Sequence, residues 1–403
     1  MSALTITHRD PASQARTGTL ELAHGKVQTP AFVPLATKGT IKSLTPVEVS
    51  DLGFEMVLGN TFHLMLAPGA ELVERFGGLG AFMRWPGPII TDSGGFQVFS
   101  MGHGTVADEV KGRASHGGGR QGRVLSIEEE GVRFRSHIDG TEWFMGPETS
   151  MAVQASLGSD IALVFDECTP FNVTRDYTAR STERTHRWLD RCIDWHAEHG
   201  PDGQLVYGIV QGGVYDDLRR ESTQAVAARD LGGIAIGGSL GADKAQMYEV
   251  VGWATAELDR SSAADLPRHL LGIGEIDDLI RGTELGIDTF DCAMPTRIGR
   301  HGTAVVPDPA KRWRLDLTHA TGRDDDSPLV EGCKCPCCAA GNSRAYLHHL
   351  LRQREQTGPR LITLHNLHFT NQIMIALREA IRAGELAEVA AQLRAGAVPW
   401  GVN

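Results

Sequence analysis

Four of the seven cysteines in this 403-residue chain, Cys333, Cys335, Cys337 and Cys338, stand almost together, and His365 follows after a helical segment. A C-x-C-x-x-C run with a downstream imidazole suits a tetrahedral zinc ion. Three thiolates and one ring nitrogen fill its shell and leave no open position for water. Such a centre holds structure and does no chemistry, stabilising a segment too small to bury a core of its own. Cys333, Cys335, Cys338 and His365 are the preferred ligands, because His365 follows the apolar run LITL and can reach back across the helix. Cys337 can replace a neighbouring thiolate, and His348 or His349 can compete with His365, although paired histidines on a helix more often serve surface or packing roles. In a reducing compartment the cluster argues for metal over disulfides.

Three acids form a second group with chemical potential: Asp92 in TDSGGFQVFS, Asp166 in FDECTP and Asp291 in TFDCAMPTR. Any one of them could be an ordinary helix cap. Their place among the elements gives them weight. Short apolar or β-branched runs begin near Thr29, Gly53, Pro88, Asp160, Gln204, Gly232, Arg268 and Ile287. Helical patterns intervene over 147–157, 174–199, 216–231, 243–258 and 276–285. Apolar strands alternating with helices indicate a parallel sheet covered on both faces, and eight such units favour an α/β fold of the (β/α)8 barrel type. Asn60, Asp92, Asp166, Gln211, Gly237, Gly238 and Asp291 all sit where a strand runs out. In barrel enzymes that end carries the active site.

The remaining sequence sets boundaries. At 41% hydrophobic residues the chain can fill one large core or two moderate ones. It has no apolar run of membrane-spanning length and a polar N-terminus unlike a signal peptide, so a cytoplasmic location is expected. The net charge of −11 argues against wholesale coating of nucleic acid. A local basic face remains open, since residues 297–360 carry 11 Lys/Arg against 7 Asp/Glu, or +4. The Gly-rich basic stretch 108–123 reads as a flexible loop, with a lid or RNA-contacting role as the alternative. The expected organisation is a barrel of residues 1–310 and 366–403, closed by an amphipathic helix over 366–383, with a small zinc-binding subdomain at 311–365.

Taken in order, LGNTFHLMLAPG, TDSGGFQVFS, FDECTP, VYGIVQGG, IAIGGSLG, RHLLGIGEIDDL, FDCAMPTR and the cysteine cluster resemble the tRNA-guanine transglycosylase family over nearly the whole chain. The resemblance implies a (β/α)8 barrel with a zinc-binding subdomain that exchanges guanine at the wobble position of a U-G-U anticodon loop for a 7-deazaguanine, the prequeuosine base or queuine. By resemblance Asp291 is the nucleophile and Asp92 the general acid/base. Asp166 and Gln211 grip the purine edge, and the backbone around Gly237 and Gly238 binds its carbonyl. Ser93, Cys168 and Leu271 line the pocket. Phe96, where many relatives have tyrosine, stacks on the base or is a core aromatic. Arg297, Arg300, Lys311, Arg312, Arg314 and Lys334 are candidate phosphate contacts. Family precedent implies a homodimer with the zinc region near its interface.

The chain departs from the family pattern in three places. Bacterial members usually read GGLAVGE where this chain has Gly237-Gly238-Ser239-Leu240-Gly241-Ala242-Asp243, which suggests a roomier pocket able to take queuine directly. The spacing from Cys338 to His365 is one residue longer than usual, beside the extra Cys337, and the insertion at 108–123 has no functional account. Competing functions are a catalytically silent RNA-binding partner subunit, a zinc hydrolase on the same barrel, and a transglycosylase acting on DNA or at another tRNA position. The first would lack Asp92 or Asp291, and the second would need His and Asp ligands at strand ends with an open metal position.

Overall fold

A computed structural model describes residues 3–102 and 124–402. The expected flexible loop at 108–123 lies outside the described residues. Eight short, buried parallel strands form one sheet: β1 (Ala31–Val33), β2 (Val57–Gly59), β3 (Ile89–Thr91), β4 (Ile161–Leu163), β5 (Leu205–Val210), β6 (Gly233–Ile236), β7 (Arg268–Leu270) and β8 (Thr289–Asp291). Each of the eight apolar runs supplies one strand. Neighbours in the sheet are neighbours in sequence, and β8 pairs with β1, with Asp291 beside Val33. Closure between β1 and β2 comes through a parallel bridge from Leu35 to Leu58, with the Leu58 amide donating to Pro34 O at 3.0 Å and the Ala36 amide to Leu58 O at 2.7 Å. The sheet is therefore a closed (β/α)8 barrel, without the exposed edges that an open sheet must protect.

The covering helices start and stop where local chemistry dictates. α1 (Pro147–Leu157) opens with proline in its first turn and ends at Gly158 in the left-handed region. α2 (Arg175–His199) is capped by Thr174, whose side chain accepts the Tyr177 amide. α3 (Asp216–Ala227) carries two acids in its first turn, complementing the helix dipole. α4 (Lys244–Leu258) and α5 (Ile276–Glu284) complete the helices anticipated between the strands. α6 (Met294–Arg300) follows β8 directly. α7 (Thr357–Ala383) begins nine residues before the amphipathic segment expected at 366–383, so one unbroken helix carries His365 and packs along the barrel.

Three small antiparallel sheets were not anticipated. One joins Leu4–Arg9, Arg16–Leu22 and Gly25–Thr29, a second joins Val124–Ile127, Val132–Arg135 and Glu142–Met145, and a hairpin pairs Thr303–Val305 with Arg314–Asp316. The first is fastened to the barrel end opposite the expected site. Arg16 pairs with Asp288, just before β8, at 2.7 Å, both side chains being fully buried. The His24 amide donates to Asp160, just before β4, at 2.8 Å. The rim where the strands finish is left for the functional residues.

Candidate active site and metal cluster

Position in the chain alone brings the reactive side chains together on that rim. Asp92 follows β3, Gln211 follows β5, Gly237 and Gly238 follow β6, Leu271 follows β7, and Asp291 is the last residue of β8. Asp166 stands three residues beyond Leu163, the end of β4. Three clefts on the surface do not include these acids; one of about 700 Å³ is lined by His319, Arg323 and Arg352. The rim is singled out by its converging chemistry, not by depth.

Asp92 is held by the end of β2. The Thr61 amide donates to Oδ1 at 2.8 Å, and the Asn60 amide group donates to Oδ2. Asn60 is itself fixed, because its Oδ1 caps the next helix by accepting the His63 amide at 2.9 Å. Burial pushes the Asp92 carboxyl up to about 7; the Thr61 amide opposes the shift, and the charges of Asp291 and Asp166 reinforce it. A carboxyl near neutrality can both give and accept a proton at working pH.

Asp166 has a different environment. Ser93 donates to its Oδ1 at 2.8 Å and Gln211 Nε2 to its Oδ2 at 2.7 Å. Burial raises this carboxyl to about 6 against the pull of those two donors. Gly95 is needed beside it, because a Cβ there would meet Asp166 O at 2.5 Å. Gly238 answers the same kind of constraint: its φ is +78°, and an added Cβ would lie 2.2 Å from Gln211 Oε1. The Gln211 amide is thus packed directly on the Gly238 backbone. Burial also raises the Cys168 thiol, which keeps it neutral. Phe96 is 38% exposed, so it is available for stacking and is not a core aromatic.

Asp291 accepts the Gly272 amide on Oδ1 at 2.9 Å, and His269 Nε2 lies 3.2 Å from the same oxygen. Asn60, Thr61 and His269 were not assigned to the site from sequence; Asn60 was noted only as a strand-end residue. A further unassigned support is Arg219 on α3. This fully buried guanidinium donates to Val210 O at 3.1 Å, Gly213 O at 2.7 Å and Ser239 O at 3.1 Å, tying the loop after β5 to the loop after β6. Its signal in sequence was a lone arginine on a helix face that also presents apolar residues.

The candidate phosphate contacts divide into two groups. Lys311 pairs with Asp308 at 3.0 Å, while Arg312 and Arg314 pair with Glu275 at 3.4 and 2.7 Å. Among the described residues no carboxylate pairs with Arg297, Arg300 or Lys334. Lys38 and Lys42, on the loop after β1, extend this second group: burial and the charges of Arg300 and Lys38 lower the Lys42 ammonium.

The metal cluster consists of the four expected ligands. The Sγ atoms of Cys333, Cys335 and Cys338 lie 3.6, 3.4 and 3.6 Å from His365 Nδ1. All four ligand atoms fall within 4.8 Å of one another, so the group could hold a metal ion. Cys337 is buried but not among them. His365 Nε2 meets Val305 O at 2.8 Å, which places its proton there and leaves Nδ1 free to ligate. His348 Nδ1 bonds instead to Leu317 O at 2.7 Å.

The raised Asp92 value has a measurable consequence for stability. Between about pH 4 and pH 7 the folded chain holds a proton on Asp92 that the unfolded chain has released, so this group makes stability fall as pH rises through that window. Asp92→Asn removes the contribution. The melting temperature of the variant minus that of the parent is expected to be more positive at pH 8 than at pH 5. An equal difference at both pH values would show that Asp92 titrates as an ordinary carboxylate.

A model of the queuine tRNA-ribosyltransferase family matches residues 10–397. The queuine tRNA-ribosyltransferase of Roseiflexus sp. (strain RS-1) is 48% identical over 399 residues, covering 97% of this chain and 98% of that protein. Its counterpart in Pelotomaculum thermopropionicum is 45% identical over 383 residues, 95% of each chain. That of Staphylococcus aureus (strain JH9) is 42% identical over 389 residues, 96% of this chain and 94% of that one. With a match running through Asp92, Asp166, Gln211, Asp291 and the Cys3His cluster, the chain belongs to the queuine tRNA-ribosyltransferase family of tRNA-modifying pentosyltransferases.

Proposed function

We propose that this enzyme exchanges the guanine at the wobble position of a U-G-U anticodon loop for a 7-deazaguanine, through a covalent aspartyl–ribose intermediate, in the cytoplasm. The observation that carries this is the contrast between two acids on one rim. Desolvation poises Asp92 near neutrality, while Asp291 offers one oxygen to a backbone amide and keeps the other free. Separated environments of this kind let two carboxyls play opposite parts. Asp291 attacks C1′, a C–O bond forms, and the C1′–N9 bond breaks with its electron pair on guanine, which takes the Asp92 proton. The transition state is oxocarbenium-like. The incoming base then gives its N9 proton to the Asp92 carboxylate and bonds to C1′, and the ester bond returns its electron pair to Asp291. Two inversions give net retention.

The purine edge is held by Asp166 and Gln211, whose mutual hydrogen bond keeps both side chains in place before a base arrives. Amides around Gly237 and Gly238 meet the base carbonyl, Phe96 stacks on the ring, and Ser93, Cys168 and Leu271 close the walls. A guanine reaches such a pocket only after leaving its stack, which costs least in a loop. Arg297, Arg300 and Lys334, with Lys38 and Lys42, offer unpaired cations to the backbone. Lys311, Arg312 and Arg314 can exchange exposed, weak ion pairs for phosphate. The silent-subunit alternative gains no support, since both acids are present on the rim.

Zinc is the proposed metal, with residues 311–365 as its subdomain and a homodimer as the assembly. Tetrahedral bonds of about 2.3 Å to sulfur and 2.1 Å to nitrogen place S and N about 3.6 Å apart, in agreement with the separations around His365. The ion contributes stability and no chemical step. At the base-recognition loop, Asp243 caps α4 by accepting the Gln246 amide at 2.9 Å, while Gln246 Oε1 accepts the Ala242 amide at 2.9 Å. Gly241 has φ +126°, a backbone reason for glycine. The cap holds one Asp243 oxygen at the start of α4, away from a role toward an aminomethyl group, which supports acceptance of queuine.

Asp291→Ala and Asp291→Asn should each lower exchange of radiolabelled guanine into unmodified tRNA by on the order of a thousandfold and form no denaturant-resistant adduct with RNA. Wild-type exchange in both would remove Asp291 as nucleophile. Metal analysis should find one zinc per chain, and His365→Ala should lose it together with several degrees of melting temperature; an unchanged melting curve in a zinc-free protein would refute the structural role. In direct competition queuine should be incorporated at least as readily as the aminomethyl precursor, and a strong preference for the precursor would exclude the roomier pocket.

A further inference from the structure

His269 is fully buried in the middle of β7. The register of the parallel pair places it beside Thr289 of β8, and Asp291 lies two residues further along that strand. Side chains two apart on a strand share a face. One face of the sheet therefore carries His269, Thr289 and, one step further along, Asp291. The contacts agree: His269 Nδ1 is 2.9 Å from Thr289 Oγ1, and Nε2 is 3.2 Å from Asp291 Oδ1. Nε2 has no other acceptor among the described residues and is not aligned for an ideal hydrogen bond in this state. A buried ring nitrogen left this way is costly unless some state of the reaction engages it.

We propose that His269 is a positioning residue for the nucleophile, with Nε2–H and the Gly272 amide converging on Oδ1 so that Oδ2 alone is free to bond to C1′. The inference rests on the assignment of Asp291 above. A neutral imidazole carries one N–H. With the Thr289 hydroxyl as donor to Nδ1, the tautomer this proposal assigns, that proton sits on Nε2, facing the carboxylate. In the first displacement the donor orients the carboxylate but draws off some of its basicity, two effects that oppose each other. In the second they agree. The incoming base bonds to C1′, the C1′–Oδ2 bond breaks, and its electron pair returns to Asp291, where Nε2–H strengthens its hold on Oδ1 as negative charge develops. The ester, a poorer acceptor than the carboxylate, is the state His269 favours least.

The test follows formation and resolution of the enzyme–RNA adduct in single turnovers of full-length enzyme with tRNA. His269→Phe keeps a ring and removes the donor, whereas His269→Gln keeps an N–H. With Phe, resolution of the adduct by added base should slow by about tenfold or more and adduct should accumulate in steady state, while tRNA affinity stays within about twofold of the parent. The Gln variant should recover most of the loss. Wild-type resolution in the Phe variant, or equal defects in Phe and Gln, would overturn the proposal and leave His269 a packing residue. Should the Phe variant fail to fold, Thr289→Val decides: it removes the hydroxyl that sets the tautomer, and it should slow resolution in the same direction. Asp291→Asn run in parallel separates the two assignments. If it still forms adduct, the nucleophile is wrong; if it forms none and the His269 and Thr289 variants behave as the parent, only the positioning role fails.

Discussion

Three carboxyl groups share the mouth of one barrel, and the remainder of the site answers that electrostatic difficulty. Charge on a desolvated carboxyl is expensive, more so beside others of the same sign. The fold spreads the load by giving each acid a distinct set of donors: an asparagine and an amide for Asp92, a serine and a glutamine for Asp166, a backbone amide for Asp291. For Asp92 the donors do not compensate, so its proton is retained to about neutral pH. The retained proton arises from incomplete compensation, and closure of the barrel imposes the crowding that makes it incomplete.

Much of this was legible in the sequence because it follows from period and order. The eight strands read as apolar runs, and a parallel barrel places whatever follows each run on one rim. Asp92, Gln211, Gly237 and Asp291 could therefore be placed together without knowing a single contact. The metal ligands were legible for a different reason: thiolates at that spacing have few other uses in a reducing environment. Cys337 was harder to dismiss from spacing alone, because only the turn at 336–339 decides which sulfur faces His365.

What escaped was pairing between distant residues and structure made of short, weakly patterned strands. The sheet of residues 4–29 lacks a long apolar run, and its attachment depends on the Arg16–Asp288 ion pair across the whole chain. His269 sat inside a recognised motif, yet its relation to Asp291 is a matter of register between β7 and β8, which no local pattern encodes. The start of α7 was placed too late because Thr357 to His365 includes glycine, proline and a β-branched run, all poor helix formers. Packing against the barrel and the cluster overrides that preference.

That longer helix couples two regions the sequence treated as separate. Asn366, next to the ligand His365, accepts the Val305 amide at 2.7 Å and donates to Pro295 O and Thr303 O at 3.0 Å each. Pro295 lies four residues beyond Asp291. One helical turn thus meets the cysteine cluster with one side chain and braces the backbone that follows Asp291 with the next. The cysteine cluster, remote from the three acids in sequence, can in this way govern how firmly Asp291 is seated.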